Sequence, residues 1–310
     1  MTSASPNIAS VVRTVFFIPS DFAENAKSLS DLAPTLPDDL REISLAFFDN
    51  LHGVVRTLSI PFNYTYSEIH SLHWQRFLMA ERIRARGIEQ ESEREPAALK
   101  IARERLSEYL KGEGKEIIAD DVLNRLHALQ NESESLSAAR ELTRQGVVLV
   151  WSAVEVLTRD CFIYLLNRYP ALAERLLSEQ SNRKRFSVER VDWQTLASYG
   201  YDLSRNLGAF LISKADLTNV PAIRDAYGAL FPVATNLGEK LRDARLWTLC
   251  QKRNLIVHRR GIVDQQYLNS TGDTLPIGTD LWVSPHEVED LLEAALQIGT
   301  ELIKEVANAD

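Results

Sequence analysis

Apolar residues recur along the chain at helical spacing. Between 38 and 58, Leu40, Ile43, Leu45, Phe47, Phe48, Leu51, Val54 and Val55 mostly follow a helical period, and the turn Pro61-Phe62-Asn63 is expected to end that helix. A second helix is predicted over 67–86, closed by Gly87 as a C′ glycine. A third starts near Pro96, after the charged stretch EQESEREP, and runs to Leu110, where KGEGK stops it. The longest pattern covers 132–167, where Val147, Val150, Trp151, Val154, Leu157, Cys161 and Leu165 form one stripe. Val148, Leu149, Val156 and Phe162 extend that stripe so far around that this helix is expected to be central and largely buried. Shorter helices follow at 171–178, 192–213 and 221–231, then a long one over 237–258 that Gly261 stops.

After Gly261 the pattern changes. Ile262-Val263, turn residues 269–273, and then alternating Leu275, Ile277, Leu281 and Val283 predict a small β-like excursion around two glycines. Ser284-Pro285-His286-Glu287 has capping-box spacing with proline at the first helical position. It opens a last amphipathic helix with Val288, Leu291, Leu292, Ala295, Leu302, Ile303 and Val306 on one side. The expected fold class is therefore all-α: a helical bundle with a β-like excursion before its last helix, plus an N-terminal helical region. No repeat is visible, and the boundary is placed near residue 130, giving regions 1–130 and 131–310.

Composition narrows the class without naming a function. The 310 residues are 45% hydrophobic and 25% charged, enough apolar content for a substantial core in two domains or one large one. Disorder, collagen-like and coiled-coil-only readings fail on aliphatic content, sparse Gly and the absence of long heptads. The two cysteines, Cys161 and Cys250, fall in helix interiors and read as small buried hydrophobes; disulfide scaffolds and cysteine zinc sites need more. The opening residues lack the pattern of a signal peptide, because Arg13 interrupts a short apolar run and no small-residue cleavage site follows. The most apolar stretch, 147–157, contains Glu155 and is too short to span a bilayer. A cytoplasmic protein with no membrane partner is the expectation, in which the sequons at Asn63, Asn131 and Asn269 carry no meaning.

Charge is where chemistry enters. The whole chain carries −8, yet residues 242–260 hold Arg242, Arg245, Lys252, Arg253, Arg259 and Arg260 against the single acid Asp243. An acidic protein does not coat nucleic acid indiscriminately, so contact with an anion would have to come through such a local patch. Cations at a helix C-terminus are favoured by the macrodipole, which accounts for Arg259 and Arg260 but not for the whole run.

Arg253 is unusual, because it falls on the stripe of Leu246, Leu249, Cys250, Ile256 and Val257. A charge there must be paired or must face a cleft or a subunit interface; an ion pair with Glu155 or another acid is one such solution. His258 lies one turn beyond Asn254, on the face of Gln251 and Trp247, and histidine exchanges protons readily near neutral pH. Arg253 and His258 are five positions apart, about 140° around a helix, so their side chains do not automatically meet. A phosphate lying across the helix, or a second copy of the helix, would bring them together.

The run Arg253-Asn254-Leu255-Ile256-Val257-His258, followed by Gly261-Ile262-Val263-Asp264, resembles the signature of HEPN domains, and most closely the RiboL-PSP-HEPN branch. The upstream run Trp151-Ser152-Ala153-Val154-Glu155-Val156-Leu157-Thr158-Arg159-Asp160 resembles that branch's first core helix, glutamate included. The resemblance covers roughly 135–308 and leaves 1–130 without a counterpart. It implies a metal-independent endoribonuclease without cofactor, working as a homodimer with its site at the interface. Cleavage would proceed by 2′-hydroxyl attack and leave a 2′,3′-cyclic phosphate and a 5′-hydroxyl.

In that reading His258 handles proton transfer and Arg253 stabilises charge on the phosphorus oxygens. Asn254 orients the phosphate or the imidazole, and Glu155 supports Arg253 or His258 unless it simply pairs with Arg159 one turn on. Lys252, Arg259, Arg260 and Arg245 would contact RNA, with a structured species such as a tRNA favoured over indiscriminate degradation. Many members of the family act in phage defence or beside an antitoxin, and some are non-catalytic modules that bind a nucleotide, an RNA or a partner protein; that alternative stays open.

Other groupings carry less. His70 and His73 share a helix face but lack a third metal ligand, and His52, His127 and His286 read as ordinary. The tracts Arg76, Arg82, Arg84, Arg86 and Arg183-Lys184-Arg185 could touch RNA, but a solvated helix face or loop is the better reading of each. No Walker loop, GxGxxG or GxSxG occurs.

Overall fold

The computed structural model describes residues 8–187, 191–213 and 215–309. Helix dominates throughout. In chain order come α1 (Ile8–Val12), α2 (Phe22–Asn25), α3 (Lys27–Leu32), a 3-10 turn at Ala33–Thr35, α4 (Asp38–Leu58), α5 (Ile60–Ala85), α6 (Glu91–Lys111) and α7 (Gly114–Leu129). These are followed by α8 (Ser133–Arg168), α9 (Leu172–Ser178), α10 (Gln180–Arg185), α11 (Trp193–Ser198), α12 (Leu207–Ile212) and α13 (Val220–Leu230). Last are α14 (Thr235–Leu241), α15 (Ala244–Arg259), α16 (Gln265–Thr271) and α17 (Pro285–Ala307). The all-α expectation holds, and no helix among the described residues is long and apolar enough to cross a membrane.

The chain forms two compact units, and the division does not fall at one point near residue 130. One unit takes the described chain up to Pro19, Leu58–Leu142 and Ser284–His286; the other takes Ser20–Thr57, Thr143–Val283 and the chain from Glu287 on. The physical reason is α4: although early in sequence, it carries Phe47 to Gly299 of α17, where a Cβ would collide with the ring.

In the first unit, α5 packs on α6 and α7, and α1 packs on α7. Val12, Phe16, Ile118, Val122, Leu126 and Ala139 are buried together as its core. Sequence patterning does not assign α7, in which Ile118, Val122 and Leu126 are buried with Leu123 and Leu129 packed beside them. Pro61 lies in the first turn of α5 rather than in a terminating turn, a position where the missing N–H costs nothing. Helix α6 starts before Pro96 and passes through it, in an exposed segment where water can satisfy the freed carbonyl. Buried Glu81 is clamped by Arg84 and by Arg105 (2.9 Å), and Arg82 pairs with Glu95 (2.5 Å), so much of that basic tract is neutralised within the fold.

The second unit is built around α8. Every member of its expected stripe is buried, but Leu149 is 39% exposed, so one flank faces outward. Helix α13 reaches α8 through the Tyr227 hydroxyl, which donates to the Thr158 carbonyl (2.5 Å). Helix α12 comes so close to α8 that a Cβ on Gly208 would stand 2.6 Å from the Ile163 carbonyl oxygen. The single helix expected over 192–213 is two helices, because Gly200 and Tyr201 take left-handed conformations (φ 63° and 57°) between them. The helix expected over 237–258 is also divided, at Arg242-Asp243.

The excursion after Gly261 is not strand-like along its length. It holds one isolated antiparallel bridge, Ile262 to Asp280, with α16 inserted between the partners.

Candidate active site

The division at Asp243 sets the length and start of the motif helix. Asp243 caps α15, accepting from the Arg245 N–H (2.8 Å), and its carboxylate also takes the Arg245 guanidinium (2.7 Å). The hydrogen bond from Arg245 holds the Asp243 carboxyl below its usual range, against the opposing effect of burial. At the other end, Arg260 and Gly261 turn left-handed (φ 57° and 77°), and the Gly261 N–H closes on the Leu255 carbonyl (3.1 Å). Buried Arg144 of α8 supports that exit. It donates to the Leu281 carbonyl (2.8 Å), pairs with Asp280 (2.6 Å), and lies so near Gly261 that a Cβ there would stand 3.2 Å from its guanidinium. Trp247 ties α15 to α16 by donating to the Ser270 carbonyl (2.7 Å). Sequence reasoning missed Arg144, which sits far from the motif in sequence and looks like one more arginine.

Arg253 is three-quarters buried at the side chain. Its Nη2 lies 3.6 Å from Glu155 Oε2, its Nη1 donates to Asn254 Oδ1 (3.1 Å), and its buried Nε has no hydrogen-bond partner. Glu155 thus faces Arg253, while Arg159 pairs with the adjacent Asp160 (3.0 Å). Asn254 completes the row by donating to Cys250 Sγ (3.8 Å); burial pushes that thiol's pKa up.

Two clefts border the helix. Arg253, Glu155, Ser152 and Arg159 line one together with Asp216 and Thr218. His258, Asn254, Gln251 and Gln266 line the other, beside Arg259, Asp264 and Tyr267. Within one chain, Arg253 and His258 therefore open onto different clefts, with Asn254 hydrogen-bonded to the first and lining the second.

The remaining cations divide. Lys252 is buried and paired with Glu287 (2.7 Å), and Arg245 is held by Asp243, so both are engaged inside the fold. Arg259 is exposed and only loosely tied to Asp264 (3.3 Å), while Arg260 and His258 are exposed without an ion pair or side-chain hydrogen bond among the described residues. Of the expected stripe, Leu246, Leu249, Cys250 and Ile256 are buried, joined by Leu255 and Lys252, whereas Val257 is 49% exposed. His70 and His73 have separate neighbours. His73 contacts Asp121 (3.1 Å) and stacks on Tyr109, and His70 stacks on Tyr66.

No family model, curated protein or solved structure matches the chain.

Proposed function

We propose that the chain is a HEPN-type, metal-independent endoribonuclease that acts in the cytoplasm as a homodimer. One observation carries the reading. A sixteen-residue helix holds a guanidinium, partly buried and braced by Glu155 and Asn254, five positions before an exposed histidine that no other side chain among the described residues engages. A fixed cation together with an imidazole suits phosphodiester transfer. The ribose 2′-oxygen would form a bond to phosphorus as the bond to the 5′-oxygen breaks. The 2′-hydroxyl loses its proton, the leaving oxygen gains one, and His258 serves that exchange while Arg253 faces the phosphorus oxygens.

The separation of the two clefts favours a second copy as the means of uniting Arg253 with His258. Val257 and Ile262, exposed at 49% and 42%, supply apolar surface for such a contact. Arg259 and Arg260 flank the helix end as the phosphate-binding cations, with a structured RNA such as a tRNA as substrate and a defence or toxin–antitoxin setting as context. Arg245 and Lys252 serve the fold rather than the RNA. The second reading, a non-catalytic binding module, is favoured by one feature: the Arg253 guanidinium already has protein partners on both nitrogens of its fork.

Cleavage of end-labelled total RNA and tRNA in EDTA, followed by end-group analysis, tests the proposal. Cyclic-phosphate products are expected, lost on His258→Ala and on Arg253→Ala, with melting temperature changed by no more than a few degrees. Products unchanged by either substitution would reject this site. A folded dimer that binds RNA at the same helix end without product would establish the binding module instead.

A further inference from the structure

The first unit, which the catalytic reading leaves without a role, carries a groove between α5 and α6. His70 and Trp74 of α5 and Arg103, Leu106, Ser107, Leu110 and Lys111 of α6 line about 670 Å³, within the ordinary range of small-molecule sites. Arg103, Ser107 and Lys111 stand at i, i+4 and i+8 on α6, a polar ladder about 12 Å long. Opposite them on α5 are two aromatic rings, His70 and Trp74, also at i and i+4. Among the described residues no carboxylate lines the groove, although the chain as a whole is acidic. Glu104 and Glu108 follow Arg103 and Ser107 by one position, about 100° away around the helix.

We infer that this groove binds a nucleotide unit, its base against Trp74 and His70 and its phosphate on Arg103 and Lys111. The charge complement requires an anion. Trp74 and His70, the latter also stacked on Tyr66, offer ring faces that suit a flat partner, since aromatic stacking is how proteins hold a base without reading its sequence. The same chemistry is offered by a free nucleotide and by a single-stranded stretch of RNA. The inference stands apart from the ribonuclease reading, because it concerns other residues in the other unit.

The experiment uses the full chain carrying His258→Ala, so that no cleavage complicates the titration. Fluorescence anisotropy of labelled decaadenylate RNA, and calorimetric titration with ATP, give the two affinities. Trp74→Ala is expected to weaken whichever ligand binds by about tenfold. The pair Arg103→Glu and Lys111→Glu, at exposed positions, is expected to weaken it and to lower the salt dependence by about one for each cation.

Loss of ATP binding alone identifies the free nucleotide; loss of RNA binding alone identifies the strand. No saturable binding of either overturns the inference. So does binding that survives both sets of substitutions, for example RNA binding lost only on Arg259→Glu. If Trp74→Ala lowers the melting temperature strongly, the charge-reversal pair decides. Because no step depends on catalysis, failure here leaves the ribonuclease proposal untouched, and the reverse also holds.

Discussion

At the scale of single residues, cations of similar appearance have different work. Lys252 and Arg259 both read as RNA contacts in the sequence, yet one is buried against Glu287 and the other stands in solvent near Asp264. Breaking a buried pair leaves its partner uncompensated, whereas an exposed pair contributes little. Lys252→Ala is therefore expected to cost about 1–3 kcal/mol, moderated by the partial exposure of Glu287, and Arg259→Ala less than about 0.5 kcal/mol. Chemical denaturation measures both, and equal losses would contradict the assignment. Arg253 was legible as an anomaly because charge interrupted an apolar stripe. Glu155 was legible too, as one candidate acid for it, whereas the contact with Asn254 was not, since that residue read as a group for the phosphate or the imidazole.

At the scale of elements, the motif helix owes its position to its two ends. Asp243 supplies the first, and Arg245 holds its carboxyl pKa down. A lowered carboxyl adds stability that is present above the unfolded-state pKa and lost as pH falls through the folded value. The melting temperature of Asp243→Asn, which keeps a capping side chain but no charge, should lie below wild type at pH 7 and converge on it as pH falls through and below the ordinary carboxylate range. A constant gap would place the contribution in the cap alone. Asp243→Ala should lose the cap as well, about 0.5–2 kcal/mol. Gly261 was readable as the stop signal, and it is one, with φ 77°. The break at Asp243 was not, because a capping aspartate inside a run of helix-compatible residues looks like one more polar position. Helix α7 shows the opposite case: Ile118, Val122, Leu126 and Leu129 recur at helical spacing, yet no helix was expected there.

At the scale of the whole molecule, long-range fits decide what belongs together. Gly299 is where α4, α8 and α17 meet: a Cβ would strike the Phe47 ring and lie 2.8 Å from Leu157 Cδ2. Gly299→Ala is accordingly expected to destabilise by about 1–3 kcal/mol, read from denaturant unfolding, although alanine is the better helix former. A neutral or stabilising result would mean that the three helices can part freely at that point. By itself the sequence determined the all-helical class, the burial of the α8 stripe, the glycine stop of the motif helix and the charge segregation that marks its end. Those are properties of periodicity, propensity and composition, which act over a few turns of chain. Tertiary structure alone decided that α4 belongs with α17 and that Arg144 supports the turn after the motif. It also drew Lys252 and Arg245 into the fold and opened Arg253 and His258 onto separate clefts. Each of those outcomes depends on which distant side chain fills the space beside it, and local spacing does not encode that.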